Sequence, residues 1–171
     1  MTENNFRFED PEFFLIGTIG VPGEREFYLQ VGNEGRILSF ALEKNQAEGL
    51  ARKSIQMLQD LNLKRRVNTQ RLNLKTPLES EFQVGVITIT WRSESERFHI
   101  EIEGVDEANE NEFEPESRRL LIIVPPGQLH QFALFALEVV AAGRQPCLFC
   151  GGPINTDGHL CPRSNGYRRM G

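Results

Sequence analysis

All three cysteines of the chain lie between Cys147 and Cys161, as Cys147-Leu148-Phe149-Cys150-Gly151-Gly152-Pro153 followed by Ile154-Asn155-Thr156-Asp157-Gly158-His159-Leu160-Cys161-Pro162. Two thiolates two residues apart reach the same ion, and glycines after the second let backbone amides turn towards sulfur. His159 and Cys161 complete a tetrahedral set with the spacing C-x2-C-x8-H-x-C, in which Gly151-Gly152-Pro153 and Asp157-Gly158 fold the second half back over the first. Three soft thiolates and one imidazole suit zinc, whereas an iron–sulfur cluster normally takes four thiolates. The expected cofactor is therefore Zn2+ held by Cys147, Cys150, His159 and Cys161 in a zinc ribbon or knuckle. Its role is structural, because four protein ligands leave no position for water or substrate. A reduced metal-free loop and a redox Cys pair compete with this reading. Thiol oxidoreductases place the pair after a strand at a helix start and need no His and Cys close behind it.

Beyond the last ligand, Pro162-Arg163-Ser164-Asn165-Gly166-Tyr167-Arg168-Arg169 sets three guanidiniums beside an amide and a phenol. Guanidiniums grip phosphate or carboxylate bidentately, which makes Arg163, Asn165, Tyr167, Arg168 and Arg169 candidate ligand-binding residues. The plainer reading is a tail that pairs with its own body, because the charge is unevenly divided. Residues 144–171 carry four Arg against Asp157 alone, a balance of +3 within a chain of net charge −5. An acidic body argues against a protein that coats duplex DNA or anionic membranes. No run approaches the roughly 18 apolar residues of a membrane helix, and the first residues lack a signal peptide's charged and apolar regions. A cytoplasmic location is the expectation, and cysteines there are better metal ligands than disulfide halves.

The elements that must hold this segment follow from periodicity. With 171 residues, 39% of them hydrophobic and 25% charged, the chain reads as one ordinary domain able to bury a core without disulfides. Phe6–Glu9 and Glu12–Thr18 are expected strands, followed by a Gly-rich turn through Gly17–Gly23. Residues 26–31 and 36–40 form a hairpin around Gly32-Asn33-Glu34-Gly35. Ala47, Leu50, Ala51, Ser54, Ile55, Leu58 and Leu61 recur at helical spacing and predict an amphipathic helix over residues 43–61. Asn62–Thr76 is basic throughout and is read as a solvated connection or helix extension in preference to an anion-binding strip. Residues 81–91 alternate loosely and 97–103 strictly, giving a second hairpin around Ser93–Glu96. Residues 106–116 hold six acids and no base, an acidic loop without the ligand pattern of an EF-hand. Leu120–Val124 reads as a buried strand, and a core helix follows from about Pro126 to Ala142, capped by Gly143. His99, on the polar face of its strand, and His130, in the first turn of that helix, are read as structural or surface groups. The fold class is α+β: an antiparallel sheet of hairpins packed against two main helices. Residues 1–143 form the body, and 144–171 form a knuckle tail integral to the same unit.

A resemblance enters at the tail. The run Gly143-Arg144-x-Pro146-Cys147-x-x-Cys150-Gly151, then Asp157-Gly158-His159-x-Cys161-Pro162-Arg163-x-Asn165-Gly166-Tyr167-Arg168-Arg169, resembles the carboxyl end of an uncharacterised bacterial family, chiefly actinobacterial, defined only as a domain of unknown function. Gly17–Arg25, Phe27–Gln30 and Ala41–Gln46 are similar to it as well. Leu148-Phe149 stand where that family would lead one to expect a proline, which leaves the four ligands intact. The resemblance implies one unit over nearly the whole chain. It also implies a pathway shared with the histidine-phosphatase-like and phosphatidylinositol-kinase-like proteins encoded beside such members.

Three functions are compatible with these features. The first is a non-catalytic, zinc-stabilised binding or adaptor protein whose basic tail contacts a protein or an anionic ligand. The second is an enzyme acting on a phosphorylated or nucleotide-like substrate, with His130 or a core acid moving the proton. The third is RNA binding through the two basic segments, which the scarcity of interleaved aromatics disfavours. No catalytic residue, partner or oligomeric state is assigned from sequence.

Overall fold

The computed structural model describes residues 4–33, 35–63, 70–105, 117–143, 148–150 and 161. Seven strands and two helices follow in the order β1 (Asn5–Glu9), β2 (Phe13–Ile19), β3 (Glu26–Asn33), β4 (Arg36–Leu42), α1 (Lys44–Asp60), β5 (Ser80–Arg92), β6 (Arg97–Gly104), β7 (Arg119–Val124) and α2 (Pro126–Ala141). The protein is α+β, but the expected antiparallel sheet is corrected to a mixed one. Its order is β1-β7-β6-β5-β4-β3-β2, and both β1–β7 and β4–β5 run parallel. The two hairpins, β3–β4 and β5–β6, are antiparallel as their turns require. Hairpin signals are local, whereas the parallel pairings join segments far apart in the chain, where no turn announces them.

The order puts β1 and β2 on opposite edges of the sheet although only Asp10-Pro11-Glu12 separates them. A flat seven-stranded sheet would hold its edges roughly 29 Å apart, whereas four Cα steps from Glu9 to Phe13 reach at most about 15 Å. The sheet must therefore curl almost onto itself. The short link bridges the two edges: Asp10 N–H donates to Ile123 O of β7 at 2.8 Å, and Glu12 N–H donates to Asn33 Oδ1 at the end of β3 at 3.1 Å. Inside the curl, Phe6 of β1 meets Phe40 of β4 edge to face at 5.8 Å between centroids, and Phe40 lies 4.7 Å from Phe82 of β5. In a flat sheet Phe6 and Phe40 would stand four strands apart.

The helices fill what remains. Ala47, Leu50, Ala51, Ser54 and Leu58 form the buried stripe of α1, and Leu129, Phe132, Ala133, Ala136 and Val140 that of α2. Four alanines among them let the two helices pack on one another at close range. A capping box starts α1, Glu43 N–H donating to Gln46 Oε1 at 2.8 Å. On the other side of α2, Phe132 stacks face to face on Phe14 of β2, with centroids 3.9 Å apart. Among the described residues no helix is long and apolar enough to cross a membrane.

Loose alternation in β5 has a local cause. The β5–β6 register shifts between Val84 and Val86, so Gly85 is a bulge and the inward phase moves by one residue. Phe82 and Val84 are buried before it, Val86 is 62% exposed, and Ile87, Ile89 and Trp91 then turn towards the core.

Of the basic segment after α1, residues 64–69 lie outside the described residues, and the part from residue 70 onward is more than a solvated connection. The helix ends at Asp60, and residues 70–79 carry no helix or strand. Gln30 sits in register between Leu15 and Ser39, is 1% exposed, and treats this segment as a strand. Its amide donates to Ser39 Oγ and Lys75 O, both at 2.9 Å, and accepts from Lys75 N–H at 2.8 Å. Leu74 packs against Gly17, Lys75 lies over the Phe13 ring, and Arg71 pairs with Glu138 of α2. The segment is a strap across the outer face of β2 and β3, which explains why β2 is buried on both faces.

Candidate metal centre and the body that anchors it

Helix α2 delivers the chain to the Cys-rich segment, so the fixing of its last turn decides where that segment begins. The final carbonyls of a helix have no partners within it and carry its negative end. Arg25, at the entry to β3, supplies both needs. Its Nη1 donates to Val139 O at 2.8 Å and its Nη2 to Val140 O at 3.5 Å, while its guanidinium lies 4.9 Å from the centroid of the Phe27 ring. The turn that presents it uses two glycines with positive φ, Gly20 at 106° and Gly23 at 94°.

The sequence places Gly143 as the cap of α2. The cap is instead Ala142, in right-handed conformation, its N–H donating to Glu138 O at 2.9 Å, and Gly143 is not among the residues with positive φ. Glycine stands there for space: a Cβ on Gly143 would overlap the Arg25 guanidinium. Replacing Arg25 by Ala should cost about 2 kcal/mol, the range for hydrogen bonds to a charged donor. The denaturation midpoint and faster amide exchange in the last turn of α2 would report it, and Arg25→Lys should not restore either, since one ammonium cannot span both carbonyls.

Beside this anchor lies a cleft of about 370 Å3 between the β2–β3 turn and the start of α1, lined by Gly23, Arg25, Tyr28, Glu43, Lys44 and Gln83 among others. Tyr28 donates to Glu26 Oε2 at 2.8 Å, and that hydrogen bond, followed by burial and the carboxylate charge, holds the phenol protonated above its ordinary range. The cleft therefore combines a neutral phenol with two cations, Arg25 and Lys44, and two carboxylates, Glu26 and Glu43.

Of the four expected zinc ligands, Cys150 and Cys161 fall within the described residues, and Cys147 and His159 lie outside them. Cys161 is 4% exposed and Cys150 half-buried. A shielded thiol in a short segment rich in Gly and Pro fits a metal ligand. Between the first two cysteines, Leu148 is 98% exposed and Phe149 55% exposed. Arg163, Asn165, Tyr167, Arg168 and Arg169 lie outside the described residues, as does the acidic stretch 106–116. Among the described residues no group of three or more His, Cys, Asp or Glu side chains is gathered to hold a metal ion.

Two side chains that organise this body, Arg25 and Gln30, fall within the runs Gly17–Arg25 and Phe27–Gln30 that carry the resemblance, but neither is assigned a role by the sequence. The polar Gln30 between the apolar Leu29 and Val31 is the hint that its face is covered by backbone.

Fold and segment together define an α+β domain with a curled mixed sheet around two helices, continued by a carboxyl-terminal Cys-rich stretch. The chain belongs to the family described as Protein of unknown function (DUF3090), whose model matches residues 6–161. The match takes in every strand from Phe6 onward, both helices and all three cysteines. No curated protein and no solved structure matches the chain.

Proposed function

We propose that the protein is a non-catalytic, zinc-stabilised binding or adaptor protein of the cytoplasm. Zinc is held by Cys147, Cys150, His159 and Cys161, and Arg163, Asn165, Tyr167, Arg168 and Arg169 contact a protein or an anionic ligand. The observation that carries the reading is the contrast across the Cys pair. Cys161 is shielded, whereas Leu148 and Phe149 are turned out to solvent at the tip that zinc would fix. An apolar side chain as exposed as Leu148, beside a basic tail, is what a protein partner would cover. The family match supports treating body and Cys-rich segment as one unit, because it runs without a break from Phe6 to Cys161.

The test is affinity capture from the native host with the full chain, in parallel with Leu148→Glu and Arg168→Ala. A protein partner retained by the wild type and recovered roughly tenfold less with Leu148→Glu is the expected result. Recovery of RNA that collapses steeply with salt would replace this reading with nucleic-acid binding. Turnover of a phosphorylated metabolite, lost on Arg168→Ala, would replace it with an enzyme.

A further inference from the structure

Strand β5 spans Ser80–Arg92 and pairs with β6 along Val84–Arg92, but β4 reaches it only at Ser80 and Gln83. On that side Gln46 of α1 donates to Val84 O at 3.0 Å and Gly85 O at 2.9 Å. From Val86 onward no strand lies beside this edge among the described residues, so every second residue directs its N–H and C=O away from β6 with no strand to meet them. Folded proteins ordinarily guard such an edge with Lys, Pro or an inward charge. Val86-Ile87-Thr88-Ile89-Thr90-Trp91 contains none of these. Ile87, Ile89 and Trp91 stay partly exposed, although their partners across the ladder, Ile102, Ile100 and Phe98, are fully buried. A groove of about 440 Å3 opens between the strand and α1, lined by Gly49, Leu50 and Lys53 on the helix and by Ile87, Thr88 and Ile89 on the strand.

We propose that this edge is the interface of a homodimer, in which β5 of two copies pairs antiparallel about a two-fold axis at Thr88. The sequence is self-complementary in that register. Ile87 faces the partner's Ile89, and Val86 faces the partner's Thr90. Cross-strand pairs of β-branched residues are favourable. The isoleucines lie on the groove side, so each copy covers the apolar floor of the other.

Charge agrees with this register. The β5–β6 turn of one copy would pass the partner's Gly85 and reach the start of its α1. Glu94 and Glu96 in that turn form no ion pair among the described residues, nor do Lys44 and Lys53 on α1. Acids brought to Lys44 and the positive end of a helix are favourably placed. An extended peptide from another protein could take the same backbone hydrogen bonds, but it would not supply this match of side chains.

Sedimentation equilibrium of the full chain decides the matter, and it is independent of the zinc reading. Twice the single-chain mass of 19.5 kDa is expected for the wild type. Thr88→Lys sets two ammonium groups against each other on the axis and should return the single-chain mass. Mixing the Thr88→Lys and Thr88→Glu chains should restore the dimer, a result that a misfolded variant cannot give. A wild type that stays at the single-chain mass across the accessible concentrations overturns the proposal, whether or not a host peptide then occupies the edge. So does a dimer that Thr88→Lys leaves intact.

Discussion

Purified protein will carry close to one zinc ion per chain, and Cys161→Ser will bring that ratio near zero. The argument is chemical. A buried thiol gains little from water and much from a divalent cation, and Cys147, Cys150 and His159 would supply the three other donors of the proposed tetrahedral set. In zinc-finger peptides such binding is worth on the order of 10 kcal/mol, enough to order a short segment with almost no core of its own. Among the described residues the main hydrophobic cluster lies between Phe6 and Val140. A chelator should therefore expose the segment after Gly143 to protease while the far-ultraviolet signal of the body persists. Thiolates and a neutral imidazole must lose protons to bind, so occupancy should fall as pH is lowered. Elemental analysis of protein prepared without chelator checks the claim, and a wild-type ratio near zero would end it.

Phe40→Ala should cost about 3–5 kcal/mol, the range for truncating a buried phenylalanine. A domain of ordinary stability has only about 5–15 kcal/mol to lose. Phe40 is fully buried, and its ring contacts both Phe6 and Phe82, so it stands where the curled sheet meets its own far edge. Phe40→Leu keeps much of the volume and should cost markedly less. The urea midpoint of the two variants separates these outcomes. A loss below about 1 kcal/mol for the alanine variant would mean that the inside of the curl does not behave as a packed core.

Much of this architecture could be read from residue order, and the part that could not has a common cause. Both helices and both hairpins announced themselves because their signals are local: a stripe at helical spacing in α1, a Gly-containing turn between β3 and β4, and strict alternation in β6. What escaped was every contact made over distance. Phe6-Arg7-Phe8 reads as a strand, yet nothing in it says that its neighbour is Leu120-Leu121-Ile122 rather than Phe13-Phe14-Leu15. Gly143 after a helix reads as a cap, and only the fold shows Arg25 lying against it. Lys75 reads as part of a charged run, and only the fold lays it across Gln30. The metal chemistry proposed for the Cys-rich segment is a local reading, since its four candidate donors sit within one short stretch and need no distant residue to be named.

The placement of β1 also bears on the order in which the protein can be made. Its ladder partner, β7, leaves the ribosome more than a hundred residues later, and β1 pairs with no other strand of the sheet. Through most of synthesis the first strand must wait while the β2–β3–β4 meander, which is complete by Leu42, forms behind it. Contacts of such long sequence separation slow folding and leave an unpaired apolar segment exposed in the meantime. Strand β1, which emerges before the other six, is thus among the last pieces to be locked in place, and a nascent chain stalled before Arg119 would display Phe6 and Phe8 to any chaperone at hand.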